Sequence, residues 1–382
     1  MKKSTVMLWA IFGALLMGCS DEEIANVETS SRNAIGFNVL SNAAETRATP
    51  TTPSNLTKTD FDVFAFTTKD GTVFMGTDHM IFGHDGVHIK HNGTKWDYAN
   101  ASDLRYWPTE ALDFYAFNPG TVSEDMMMFY SWEVTKDVKK ISYTCMDEYG
   151  ANKGHANYDV MYAMTKNQTK GSNNGVVHFN FKHILSQVVF KAKTEYDNMQ
   201  VDINMIKIYN VKMGGYFTLP TTDEETGSWS EPDLPNEASG LGTFTVVKDA
   251  NITVNGNAEA IDISTNTPML NRPQTLTAWT VSGDSKTKAQ ADKAKQCYLE
   301  IACKIRQKGV YLLGSADNYG TIYVPFGDTW VAGKRHIYTL IFGGGYTDEG
   351  VAVLNPIQFD AETTDWGNAD NKDVNVQPQP QP

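Results

Sequence analysis

The run "QCYLEIACKI" at residues 296–305 places Cys297, Leu299, Ile301, Cys303 and Ile305 at every second position. Successive side chains of a strand point to opposite faces, so the alternation predicts a β-strand with one buried face. The same period recurs in Ile35, Phe37 and Val39 of "AIGFNVL" and in Val177, Phe179 and Phe181 of "VVHFNF". Turn-forming residues punctuate these runs, as in "FGHDGV" (82–87) and "VNGN" (254–257). Long segments of helical period are missing. "DSKTKAQADKAK" (284–295) fits a short polar helix or a solvated loop, and the loop is the favoured reading. The pattern predicts an all-β protein built of sandwiches.

Two phrases say how the strands pack. In "LDFYAF" (112–117), Leu112, Phe114 and Ala116 face one way and Tyr115 and Phe117 the other, so this strand is apolar on both faces and belongs in an interior. Trp107-Pro108 just before it would plug one end of the first core. "HILSQVVFKAK" (183–193) begins a new strand, with Val188, Phe190 and Ala192 inward and Lys191 and Lys193 outward, and puts a domain boundary near His183. The glycine pair in "IKIYNVKMGGYFTLP" (206–220) suits a tight turn or bulge. A chain of 382 residues is too long for one ordinary core and comfortable for two.

The N-terminus is basic (Lys2, Lys3) and is followed by an apolar run from Val6 to Met17, too short for the ~20 residues of a membrane-spanning helix. The layout is that of an export signal. Leu16-Met17-Gly18-Cys19 resembles a bacterial lipobox, in which the Cys19 thiol is acylated and becomes the new N-terminus. Net charge is −13, which suits a soluble surface and argues against nucleic acid as a partner. Beyond Cys19 there are Cys145, Cys297 and Cys303. The last two, six residues apart on one strand, would be separated by about 20 Å, far beyond disulfide reach. They read as buried thiols. "SNAAETRATPTTPSNLTKT" (41–59) is a linker, and the tail ending "NADNKDVNVQPQPQP" is polar and proline-rich.

Chemistry is scarce. His79, His84, His88 and His91 cluster in "HMIFGHDGVHIKH" near Asp78 and Asp85, but a hairpin there sends His88 and His91 to opposite faces, so convergence on a metal is not expected. His183 reads as a structural hydrogen-bonder. "GGGYTDEG" (343–350) has no following helix or lysine to cradle phosphate. No nucleophile-elbow, zincin or Walker pattern occurs, and no carboxylate pair stands out. The expectation is a protein that is not an enzyme and holds neither cofactor nor metal.

Five phrases occur in a set order: "DLRYWPTEALDFYAFNP" (103–119), "YDVMYA" (158–163), "HFNFKHILSQVVFKAK" (178–193), "TPMLNRPQTLTAW" (267–279) and "WVAGKRHIYTLIFG" (330–343). Together with the lipobox and the "TRA" at 46–48, they resemble the fimbrillin family of Bacteroidales, in its Mfa-like branch. The resemblance implies two tandem transthyretin-like β-sandwich domains and a pilus subunit or pilus-associated adhesin. The organisation expected is a signal peptide (1–18), a polar linker (19–33), an N-terminal sandwich (34–182) with a cleavable first segment (34–47), a C-terminal sandwich (183–366) and a tail (367–382). The resemblance also makes Arg47-Ala48 the site where an Arg-specific protease cuts; Arg32 is a rival set immediately before the strand. Ile35, Phe37 and Val39 would then be core contacts of a strand that cleavage detaches.

Ser20, Asp21, Glu22 and Glu23 resemble the signal that carries such lipoproteins to the outer face of the outer membrane. The expected partners are other pilus subunits, the outer membrane through the lipid anchor, and host or bacterial surface proteins or glycans. With only "DVNV" (373–376) as apolar alternation after Trp366, the chain leans toward a tip or accessory subunit. The alternative is a surface glycan-binding lipoprotein using Trp96, Tyr98 and Trp132 as sugar platforms.

Overall fold

The computed structural model describes residues 33–40, 56–77, 86–120, 130–145, 158–194, 196, 198–231, 241–256, 259–264, 269–354 and 358–365. The first half contributes β1 (Gly36–Val39), β2 (Phe61–Thr67), β3 (Val73–Met75), β4 (Val87–His91), β5 (Trp96–Tyr98), β6 (Leu112–Asn118), β7 (Tyr130–Val134), β8 (Lys139–Thr144), β9 (Met161–Gln168), β10 (Val176–Phe179) and β11 (Lys182–His183). The second half continues with β12 (Ser186–Thr194), β13 (Met199–Lys212), β14 (Gly214–Thr218), β15 (Ser228–Ser230), β16 (Leu241–Val247), β17 (Ile252–Asn255), β18 (Ile261–Asp262), β19 (Met269–Asn271) and β20 (Gln274–Thr275). After a short helix, α1 (Lys288–Lys293), come β21 (Tyr298–Gln307), β22 (Val310–Leu313), β23 (Gly320–Pro325), β24 (Thr329–Trp330), β25 (Lys334–Phe342), β26 (Gly344–Tyr346), β27 (Ala352–Leu354) and β28 (Gln358–Asp365). The protein is all-β.

The first sheet runs β10-β1-β5-β4-β2-β6-β9-β11, with β3 on β2. Its central strands are apolar on both faces, as the alternation in "LDFYAF" requires. Leu112, Phe114 and Ala116 pack with Phe61, Val63 and Ala65 in a core that the sheet encloses by curling on itself. The curl brings β10 beside β9, where the Thr165 hydroxyl donates to the His178 carbonyl at 2.7 Å. Tyr115 and Phe117 point the other way, into a second cluster with Tyr130, Trp132 and Ile141. There Phe117 and Trp132 stack with ring centroids 5.1 Å apart. Trp107 sits against the enclosed core, edge-on to Phe114.

The cover over Tyr115 and Phe117 is a four-stranded sheet, β15-β14-β8-β7. Two of its strands precede residue 183 and two follow it. β14 pairs with β8 from Gly214 opposite Thr144 to Thr218 opposite Lys140. The remaining strands form two further sheets: β18-β12-β25-β28 with β19 on β12, and β16-β13-β21-β23-β26-β27 with β17 and β22 at the sides. Val188, Phe190 and Ala192 lie in one cluster with Ile203, Ile208, Ile301 and Leu340, continuous with Trp132 and Phe217. Lys191 and Lys193, on the opposite face of β12, are half-buried. Cys145, Cys297 and Cys303 are buried and not joined in disulfides. Burial pushes the Cys303 thiol up to about 12, so it stays protonated and inert.

The expectation of a loop at 284–295 is corrected: residues Lys288–Lys293 form α1. A capping box starts it, the Thr287 hydroxyl accepting from Gln290 N–H while the Gln290 side chain accepts from Thr287 N–H. Ala291 is fully buried beside Trp279 and Tyr298. The Lys288 ammonium lies 5.0 Å from the Tyr209 ring and 5.5 Å from that of Tyr298, and pairs with Asp292 at 3.1 Å. One alanine carries the burial, too weak a periodic signal to read among four lysines and two aspartates.

His88 ties β4 to the start of β2. Its Nδ1 is 2.9 Å from Asp62 Oδ1 and its Nε2 is 3.1 Å from Asp60 Oδ2, while the Asp62 side chain is fully buried. The hydrogen bond to Asp62 raises the imidazole pKa above 6.5, against the opposing pull of burial. A raised folded-state pKa means the stabilisation is complete below 6.5 and is lost as pH rises through the raised value. Melting temperatures at about pH 5.5 and 8.5 should therefore fall more for the wild type than for His88→Gln; equal falls would remove this role. The two-faced strand makes a second prediction. Phe114→Ala and Phe117→Ala should each cost about 3–5 kcal/mol in denaturant unfolding. Because their cores differ, the double variant should lose the sum to within ~0.5 kcal/mol, and strong coupling would contradict the separation.

Candidate assembly site at the first strand

β1 is inserted between two strands of the body. It runs parallel to β10, with Gly36 opposite Val176, Phe37 opposite Val177, Asn38 opposite His178 and Val39 opposite Phe179. On its other side it meets antiparallel β5 at one position, Phe37 opposite Trp96. The backbone is continued at both ends: Ile35 N–H donates to Arg105 O at 2.9 Å, and Leu40 N–H to Phe179 O at 2.8 Å. Trp107 N–H donates to Asn33 O at 2.9 Å.

Ile35 and Phe37 are buried in the enclosed core, and Val39 is partly buried against it. The Phe37 ring stacks on Phe179 at 6.1 Å and meets Tyr98 edge-on at 5.4 Å. Burial pushes the Tyr98 phenol up, so it stays protonated and donates to the Ile35 carbonyl at 3.2 Å. Burying Ile35 and Phe37 stabilises by about 1.5–3 kcal/mol each. A depression of about 1050 Å³ along β1 is lined from both sides, by Asp97 on β5 and by Asn174 and His178 at β10, with Asn38 of β1 itself. By its pairing, β1 is tied firmly on one side and loosely on the other.

Residues 41–55, between β1 and Leu56, carry Arg47 and Ala48 and lie outside the described residues, as do Cys19, Ser20, Asp21, Glu22, Glu23 and Arg32. Topology alone has a consequence here. A cut anywhere in 41–55 leaves β1 bound to the body only by the contacts above. What the sequence did not reveal is the identity of β1's neighbours. Alternation in "VVHFNF" marks a strand, but a parallel pairing of residues 140 apart has no local signature.

The other candidates resolve into packing. His91 lies edge-on to Trp96 at 5.2 Å, and His183 is 2.9 Å from Asp159. His79 and His84 lie outside the described residues. Among the described residues, no group of three His, Cys, Asp or Glu is placed to hold a metal. Trp96 and Trp132 are buried, so neither ring offers a face to a sugar, and Tyr98 is half-buried beneath β1.

Residues 46–366 match the family described as Fimbrillin-like. The fimbrium subunit Fim1C of Phocaeicola vulgatus is 27% identical over 206 residues, which cover 49% of this chain and 50% of that protein. The chain therefore spans about half the length of that curated relative. A solved fimbrial protein from Bacteroides vulgatus shares the fold with a TM-score of 0.58 at 18% identity, over 87% of this chain and 99% of the other. With the family match extending across most of its length, and with a fold shared with a fimbrial protein, the chain belongs to the fimbrillin-like family.

Proposed function

We propose that the chain is a non-enzymatic subunit of a surface fimbrium, in a tip or accessory position, and that cleavage after Arg47 converts it to an assembly-competent form. The observation that carries this reading is β1 itself: an apolar strand inside the sheet whose covalent route to the body passes through 41–55. The family match also begins at Thr46, leaving β1 outside it. Loss of β1 would uncover Trp96, Val177 and Phe179 and unpair the edges of β10 and β5. An unpaired edge over an apolar groove is a poor state for an isolated subunit and is relieved by a strand donated from another.

Before cleavage the subunit is held at the outer membrane by acylated Cys19, with Ser20–Glu23 directing it to the cell surface. Its partners are other pilus subunits, which hold the body once cleavage severs it from the lipid. Its adhesive ligand belongs to host or bacterial surface proteins or glycans. The chain divides near 183 into two sandwiches, 34–182 and 183–366, with hairpin β14–β15 of the second lent to the first. A cut near 183 would then leave the halves associated.

Treating purified precursor with an Arg-specific protease should produce a body beginning at Ala48, with the released segment remaining bound. Phe37→Ala should speed its dissociation by about ten- to a hundredfold, since roughly 1.5–3 kcal/mol of burial is lost. Fibres assembled normally by Arg47→Ala cells would sink the switch. In cells given labelled palmitate, label should enter the wild type and be absent from Cys19→Ala.

A further inference from the structure

Two motifs with no part in strand release meet where the chain passes from one sheet to another. "MGGYF" (213–217) leads out of β13, which pairs with β21, into β14, which pairs with β8. "NRPQ" (271–274) joins β19, laddered to β12, to β20, laddered to β24. We propose that Asn271–Gln274 forms a clasp, with Arg272 as its positioning residue, that holds hairpin β14–β15 in the N-terminal sheet and makes the two halves one load-bearing body.

The geometry is specific. Arg272, with its side chain only 5% exposed, donates from its terminal nitrogen to Gly214 O at 2.7 Å and to Glu231 Oε2 at 3.2 Å. Its guanidinium also lies 5.2 Å from the Trp229 ring centroid, on β15. Arginine suits this place because a planar fork can stack and donate at once. Gln274 imitates a strand: its side-chain oxygen accepts from Lys212 N–H at 2.8 Å and its side-chain nitrogen donates to Lys212 O at 3.1 Å. Lys212 and Arg272 share Glu231. Burial pulls that carboxyl up, but the Lys212 hydrogen bond and the charge of Arg272 outweigh it and hold the pKa below the ordinary range. From the other half, Cys145 donates its thiol to Leu270 O at 3.3 Å and its N–H to Met213 O at 2.5 Å.

The glycine pair is explained by close approach. A Cβ on Gly214 would stand 2.5 Å from Tyr143 O, and one on Gly215 2.7 Å from the Arg272 terminal nitrogen. Hairpin, clasp and β8 are fitted without room for a side chain between them. Tension applied to the two halves would cross through the ladder from β14 to β8 as well as along the backbone at 183. The inference concerns how the halves are joined and does not rest on cleavage at Arg47.

Hydrogen exchange on the intact exported chain tests it. Arg272→Met should speed exchange of the backbone amides in 139–144 and 214–218 by about ten- to a hundredfold, through loss of buried charge-assisted hydrogen bonds. Amides in 186–194 and 334–342 should be unchanged. Should Arg272→Met fail to fold, Glu231→Gln should give the same selectivity at about threefold. Unchanged exchange in the hairpin, or equal acceleration in all four segments, would overturn the clasp.

Discussion

A sheet that is apolar on both faces must be covered twice, and most of this architecture follows from that demand. β2, β6 and β9 carry large side chains on alternating sides, so neither face can be left to water. One face is covered by the sheet's own curl, which β1 completes by entering between β10 and β5. The other is covered by a separate four-stranded sheet, which the second half of the chain completes by lending β14 and β15. Both covers therefore depend on a segment brought in from elsewhere.

The two segments are held differently. β1 makes a four-residue parallel ladder and a single antiparallel pair. Hairpin β14–β15 makes five pairs with β8, and its base is gripped by Arg272, Gln274 and Glu231. Weak retention on one side is what the proposed release of β1 requires, and strong retention is what the proposed joint requires. On this account one cover is replaceable and the other permanent.

How much of this could be read in the sequence depended on range. Period-two alternation identified the strands, and the two-sided pattern of "LDFYAF" disclosed a doubly covered strand before any partner was known. Burial of Ile35 and Phe37 was legible for the same reason. Pairing was not, because β1 meets β10 across 140 residues and β14 meets β8 across about 70. A domain boundary placed by the start of a new strand at 183 could not foresee a hairpin returning across it. Helix α1 was the less favoured reading of its stretch because one buried alanine and a capping box do not make a periodic signal. "NRPQ" and "MGG" were visible as phrases, but their meaning lies in the contact between them.

The central claim is that β1 is a temporary cover for the groove it fills. Peptide mapping of subunits recovered from assembled fimbriae, compared with the same protein from the membrane fraction, addresses it directly. The account predicts that assembled subunits begin at Ala48 and contain no peptide spanning Ile35 to Leu40, whereas the membrane form retains it. Fimbriae whose subunits still carry that segment would contradict it.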